Sequence, residues 1–110
     1  MNIVSNPTRN AAKGQPCVRC LRNDGTVVAA HYQGFRSHRL GKGQRIKPHD
    51  LFVADLCAKC HAFFDGYGNR KRLLSWVDKL ELSEEFLFYV ALTQLRRVQQ
   101  GIITIKGYEP

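Results

Sequence analysis

The four cysteines of the chain fall into two pairs with the spacing of metal ligands. Cys17 and Cys20 form one C-x2-C pair, Cys57 and Cys60 form the other, and no cysteine is left over. Four thiolates complete the tetrahedral coordination of a structural zinc ion. A redox dithiol is the alternative, but it needs only one pair and a thioredoxin-like βαβ context, which is absent here. The spacing therefore predicts one closed, structural Zn2+ site.

A histidine follows the second pair at once, in the stretch "LCAKCH". If a helix begins near Cys60, His61 and Asp65 lie one turn apart on the same face, and such a pair can share a divalent cation. His61 could instead form a hydrogen bond beside the zinc thiolates, and Asp65 could be an ordinary polar residue at a helix end. Both interpretations stay open.

Two further residues have side chains suited to chemistry. His31 ends the apolar stretch "VVAAH", and Asp50 ends "KPHD", shortly before the second cysteine pair. A neutral imidazole can act as a general base near neutral pH, because its unperturbed pKa is about 6.5. A buried, hydrogen-bonded strand histidine is the alternative interpretation of His31.

The loop "GFRSHRLGKGQRIKPHD" at 34–50 is strongly basic. The whole chain has 17 lysines and arginines against 9 acidic residues, a formal net charge of +8. Charge of this sign and size indicates a polyanionic partner, and nucleic acid is the default. A solvated mobile loop is the alternative. We expect mainly phosphate contacts with DNA, carried by Arg36, Arg39, Lys42, Arg45 and Lys47.

The pattern of apolar and polar residues predicts one α+β domain over 14–110, preceded by a flexible arm over 1–13. Strands are expected in "TVVAAHY" (26–32) and "LFVADL" (51–56), and a short one in "IITIK" (102–106). The periodicity predicts a helix over 70–80 and a second helix over 84–100, with Ser83 as its N-cap and Gly101 as its stop.

The predicted helix over 84–100 carries apolar residues on two faces. Its expected core face consists of Phe88, Ala91, Leu92, Leu95 and Val98. Phe86 and Val90 lie on nearly the opposite side, where an ordinary surface helix would be polar. A second apolar face indicates a second buried contact, which is either the 102–106 segment or another copy of the chain. The pattern slightly favours a homodimer through Phe86 and Val90.

Two classes of protein are disfavoured by the sequence. No apolar run approaches the roughly 20 residues that a membrane-spanning helix needs, and the first residues lack the apolar region of a secretory signal. A cytoplasmic location is therefore expected, and thiols stay reduced there, which favours metal ligation over disulfides.

Several segments together resemble a small family of phage and prophage proteins with an HNH-like nuclease fold, formerly a domain of unknown function. The resemblance is carried by "RNAAKGQPC", "VVAAH", "IKPHDLF", "ADLCAKCHAFFDG" and "QQGIITIKG", and it covers mainly residues 9–66. It implies a zinc-stapled ββα-metal module of the treble-clef type, followed by two C-terminal helices. It also implies a phage-type DNA endonuclease in which His31 is the general base.

The same resemblance implies that His61, with Asp65 or Asp50, holds Mg2+ or another divalent cation. Two positions depart from common HNH sequences: Ala30 stands where an acidic residue or histidine often precedes the base, and Phe52 lies in the region of the usual asparagine. A non-catalytic, zinc-containing DNA-binding protein is the main alternative function. A protein-interaction module that uses the C-terminal helices is a third.

Overall fold

A computed structural model of the protein describes residues 1–65 and 74–110. Its helices are α1 (Asn6–Asn10), α2 (Ala58–Asp65) and α3 (Trp76–Gln99), with a 3-10 helix over Ser37–Leu40. Strands β1 (Val28–His31) and β2 (Val53–Leu56) pair antiparallel, so that Val28 lies opposite Leu56 and His31 opposite Val53. The chain is thus a small α+β protein, and the two central predicted strands are confirmed.

Strand β2 forms the middle of the core. All four of its residues are buried, because β1 pairs with one edge and α3 packs across it. Phe86 and Val90 of α3 join Leu56 and Phe64 in one apolar cluster, and Tyr32 meets Phe86 edge to face, with ring centroids 5.4 Å apart. This packing holds the end of β1 and the last turn of α2 close to each other.

A buried ion pair sets the rotation of α3. Asp55 in β2 is fully buried, and both of its carboxylate oxygens accept hydrogen bonds from Arg97, which is only 1% exposed. Thr93 accepts a hydrogen bond from the Asp55 N–H at 3.1 Å. Because an unpaired buried charge costs several kcal/mol, α3 must present Thr93 and Arg97 to the sheet.

This rotation reverses the predicted faces of the helix. Phe86 and Val90 are each 3% exposed, whereas Phe88 and Leu95 are more than half exposed. The prediction that Phe88 and Leu95 form the core face is therefore wrong, and so is the predicted dimer face, since Phe86 and Val90 lie in the core. The apolar pattern alone was misleading because Arg97 and Thr93 complete the buried stripe. Association of the chain itself stays a prediction.

Helix α3 runs without a break through Ser83, where the sequence predicts that a second helix begins. Ser75 caps α3 by accepting a hydrogen bond from the Asp78 N–H at 3.1 Å. Ser83, the predicted N-cap, lies inside the helix, where its hydroxyl accepts from the Phe35 N–H at 3.0 Å and bonds to the Tyr32 hydroxyl. Residues 70–73 of the first predicted helix lie outside the described residues.

The two ends of the chain also differ from expectation. Residues 1–13 contain α1, whose N-cap Ser5 accepts from the Thr8 N–H, and Arg97 donates to the Thr8 carbonyl at 3.1 Å. The segment expected to be a flexible arm thus contains a short helix and a hydrogen bond to the core. The 102–106 segment is irregular and forms no strand. Among the described helices, none is both long and apolar enough to cross a membrane.

Candidate metal centre and candidate active site

The fold brings the four cysteines into one cluster. The sulfur atoms of Cys17, Cys20, Cys57 and Cys60 all lie within 4.8 Å of one another. The Cys20 and Cys57 sulfurs are 3.6 Å apart, close to the ~3.8 Å edge of a tetrahedron with Zn–S bonds of ~2.3 Å. A disulfide would need about 2.05 Å. The cluster can therefore hold a four-coordinate metal ion such as zinc.

Local backbone geometry prepares this cluster for thiolate ligands. Cys57 directly follows β2, and the Cys60 N–H points at the Cys57 sulfur at 3.5 Å. At Cys17, burial opposes ionisation, but the backbone N–H groups around the sulfur outweigh it and lower the pKa to about 7. Burial raises the pKa of the Cys60 thiol to about 12. Metal binding must therefore displace protons from the cluster.

Arg19 is a partner of the cluster that the sequence reasoning missed. Its Nη1 lies 3.6 Å from the Cys60 sulfur, and its Nε donates to Glu85 on α3 at 2.9 Å. Four thiolates around a divalent cation keep a net negative charge, which this guanidinium offsets. The arginine lies between the first two cysteines, in "CVRC", and this position was the available signal.

His61 and Asp65 form a pair on α2, as their spacing predicts. The His61 Nε2 and Asp65 Oδ2 atoms are 2.9 Å apart, and both side chains are partly exposed. Cys60 of the metal cluster lies in the first turn of α2, so the cluster also fixes where this pair lies. Gln33, which follows β1 closely, donates to Asp65 Oδ1 at 3.2 Å.

His31 and Asp50 form a second, nearly buried pair. The His31 Nε2 lies 2.7 Å from Asp50 Oδ1, and the Asp50 side chain is 1% exposed. Burial favours a neutral Asp50, but hydrogen bonds from Arg9, the Ser5 N–H and His31 outweigh it and lower the Asp50 pKa to about 2. An ionised carboxylate only accepts hydrogen bonds. His31 therefore carries its proton on Nε2 when neutral, and no residue in 1–65 or 74–110 forms a hydrogen bond with its Nδ1.

Asp50 is placed as an orienting partner rather than beside the other predicted cation ligands. Its Oδ2 accepts from the Arg9 Nε and the Ser5 N–H, and its Oδ1 accepts from Arg9 Nη2 and His31. It does not line the cavity that His61 and Asp65 share. Asp50 is a candidate substitute cation ligand because of its position in the sequence. That position does not show that four hydrogen-bond donors already bind its carboxylate oxygens.

One cavity of about 260 Å³ brings the remaining predicted residues together. His31 from the end of β1 and the His61–Asp65 pair from α2 line it. Gln33, together with Lys42 and Lys47 of the basic loop, completes the polar part of its lining. The other three predicted phosphate-binding residues are exposed outside this lining: Arg36, Arg39 and Arg45.

The four cysteines are the one cluster of three or more metal-ligating side chains within residues 1–65 and 74–110. A cation at His61 and Asp65 would thus have two ligands from this part of the chain. Ala30 also lines the cavity, but its side chain has no atom that binds a metal. Sites with one or two protein ligands are usual where water and substrate phosphate complete the coordination. These two side chains alone would leave most coordination positions of a cation to water or to other ligands.

No protein-family model matches the chain, and comparison with curated proteins and with solved structures found no match either. The cavity residues are therefore the basis for assigning a function. His31, the His61–Asp65 pair, Lys42 and Lys47 all line the same cavity. Side chains of these types are among those used in metal-assisted hydrolysis.

Proposed function

We propose that the protein is a metal-dependent DNA endonuclease of the HNH-like, phage or prophage type, with a structural zinc ion in the four-cysteine cluster. The observation that supports this most is the shared cavity of His31, His61 and Asp65, flanked by Lys42 and Lys47. Its residues are those to which the family resemblance assigns the general base and the cation ligands. The net charge of +8 further supports a nucleic-acid substrate.

His31 is the general base in this mechanism. Its Nδ1 accepts a proton from a water molecule as the water oxygen forms a bond to phosphorus and the bond to the leaving ester oxygen breaks. The Nε2–H stays bonded to Asp50, whose negative charge stabilises the imidazolium that forms. The proton on Nδ1 then passes to solvent, and the leaving oxygen takes up a proton as the products depart.

His61 and Asp65 hold the catalytic cation in this proposal. A bound divalent cation would supply positive charge to the phosphate and to the leaving oxygen. Imidazole is a better ligand for Zn2+, Ni2+ and related ions than for Mg2+, so we expect activity with Mn2+, Co2+ or Ni2+ at least equal to that with Mg2+. Lys42 and Lys47 bind the phosphate oxygens that the cation does not contact.

The test is a cleavage assay with zinc-loaded protein on duplex, single-stranded and branched DNA, with Mg2+, Mn2+, Co2+ or Ni2+ added. We expect cleavage of at least one DNA form, dependent on the added cation and stopped by EDTA under conditions that leave the cysteine-bound zinc in place. His61→Ala combined with Asp65→Ala should remove the dependence and the activity. No cleavage in any combination would contradict the proposal and favour a non-catalytic DNA-binding protein.

The basic loop gives a separate prediction about DNA affinity. Arg36 and Arg39 are exposed, and in the described part of the chain neither forms an ion pair. Changing both to glutamine should lower the slope of log K against log salt by roughly 1 for each phosphate that the variant no longer binds. Lys13→Gln with Lys106→Gln removes the same charge from exposed positions elsewhere and serves as the control. Equal slopes for the two double variants would show that the loop is not part of the DNA interface.

A further inference from the structure

The N-terminal segment, residues 2–9, forms hydrogen bonds with Asp50, the partner of His31 in the candidate active site. Arg9 donates from Nε to Asp50 Oδ2 at 2.7 Å and from Nη2 to Asp50 Oδ1 at 3.0 Å. The Ser5 N–H donates to the same carboxylate at 2.6 Å. The sequence reasoning gave no role to either residue, although Arg9 stands at the start of "RNAAKGQPC".

The same segment also binds the basic loop. The Asn2 side-chain amide donates to the carbonyls of Gly41 at 2.7 Å and Lys47 at 2.8 Å. The Ile3 N–H donates to His49 Nδ1 at 2.7 Å, and the Ile3 carbonyl accepts from the Asp50 N–H at 2.9 Å. Residues 2–9 therefore hold both the loop that carries Lys42 and Lys47 and the carboxylate that binds His31.

We propose that Arg9 is a positioning residue: by binding both oxygens of Asp50, it holds that carboxylate against His31 Nε2 and so keeps the proton of the neutral ring on Nε2 and off Nδ1. This role rests on the proposed function of His31 as a base. Arg9 is 40% exposed and lines no part of the cavity, so it acts through Asp50 and not on the substrate.

The physical reason lies in the geometry of the guanidinium. Two parallel hydrogen bonds fix the plane of a carboxylate, which a single ammonium contact does not. A carboxylate free to rotate would leave Nε2 without a fixed acceptor, and the imidazole could then exchange tautomers and orientation. The wrong tautomer places a proton on Nδ1 and prevents it from acting as a base.

The test compares Arg9→Met and Arg9→Lys with wild type, and Lys13→Met with all three as a matched loss of charge from the same region. The first readout is the tautomer of His31, from long-range 1H–15N correlations of its ring in the full chain. We expect the Nε2–H form in wild type and Lys13→Met, and a mixture of tautomers in Arg9→Met. The second readout is single-turnover DNA cleavage, which should fall about 10²-fold in Arg9→Met and by less in Arg9→Lys.

An Arg9→Met protein with the wild-type tautomer and cleavage rate would overturn the proposal, and so would an equal loss in Lys13→Met. If Arg9→Met does not fold, Arg9→Lys decides: a wild-type tautomer population and rate there would refute the need for bidentate binding. The tautomer readout requires no nuclease activity. A wild-type protein that cleaves nothing would therefore refute the proposed function, while the His31 ring would still show whether Arg9 positions it.

Discussion

Replacing Cys57 with serine is expected to abolish metal binding and to unfold the protein. Cys57 is fully buried between β2 and α2, and it meets Cys20 across 37 residues of chain. Structural zinc contributes about 10–16 kcal/mol to the folding of small domains, which is as much as the whole stability of a typical domain, about 5–15 kcal/mol. The small hydrophobic core of a 110-residue chain does not supply enough stability to offset the loss of that contribution.

The measurements are the zinc content of each chain and thermal unfolding followed by circular dichroism. Ala58→Ser is the matched control, because it introduces the same side chain at the next residue, which is exposed. We expect one zinc ion and a cooperative transition in wild type and Ala58→Ser, and neither in Cys57→Ser. A Cys57→Ser protein with a full zinc complement and the wild-type unfolding temperature would contradict the role of the cluster.

The second large effect is expected at His31. Replacing it with alanine should reduce DNA cleavage by about 10²–10⁴-fold, the usual contribution of a general base. The fold should survive, because Asp50 keeps its hydrogen bonds from Arg9 and Ser5 and does not become an unpaired buried charge. Zinc binding should be unchanged for the same reason. The reduced rate would therefore report on chemistry rather than on folding.

The parts of the site that could be predicted are those determined by local spacing. Two C-x2-C pairs predict a metal cluster whatever lies between them, and a four-residue separation predicts the pairing of His61 with Asp65 on one helix face. Strand β1 was predicted from a short run rich in β-branched residues, and β2 from a short, mainly apolar run. Each of these features depends on a few neighbouring residues and needs no knowledge of the tertiary fold.

The parts that could not be predicted depend on contacts between distant residues. Arg9 and Asp50 are 41 residues apart, and nothing local indicates that they meet. The buried face of α3 depends on the ion pair between Asp55 and Arg97, 42 residues apart. A periodicity argument treats arginine as a surface residue, so it assigned the wrong apolar face to the core. The sequence predicts an arm at residues 1–13 because the partners of these residues lie elsewhere in the chain.

Single-turnover cleavage of one labelled DNA, by wild type and His31→Ala side by side, tests most directly whether the cavity is a nuclease centre. His38→Ala is the control, since His38 is an exposed histidine of the basic loop outside the cavity. All three proteins should carry one zinc ion, and the assay contains Mn2+. We predict cleavage by wild type and His38→Ala, and a rate at least about 10²-fold lower for His31→Ala. Equal rates for wild type and His31→Ala would contradict the assignment of His31 as the base.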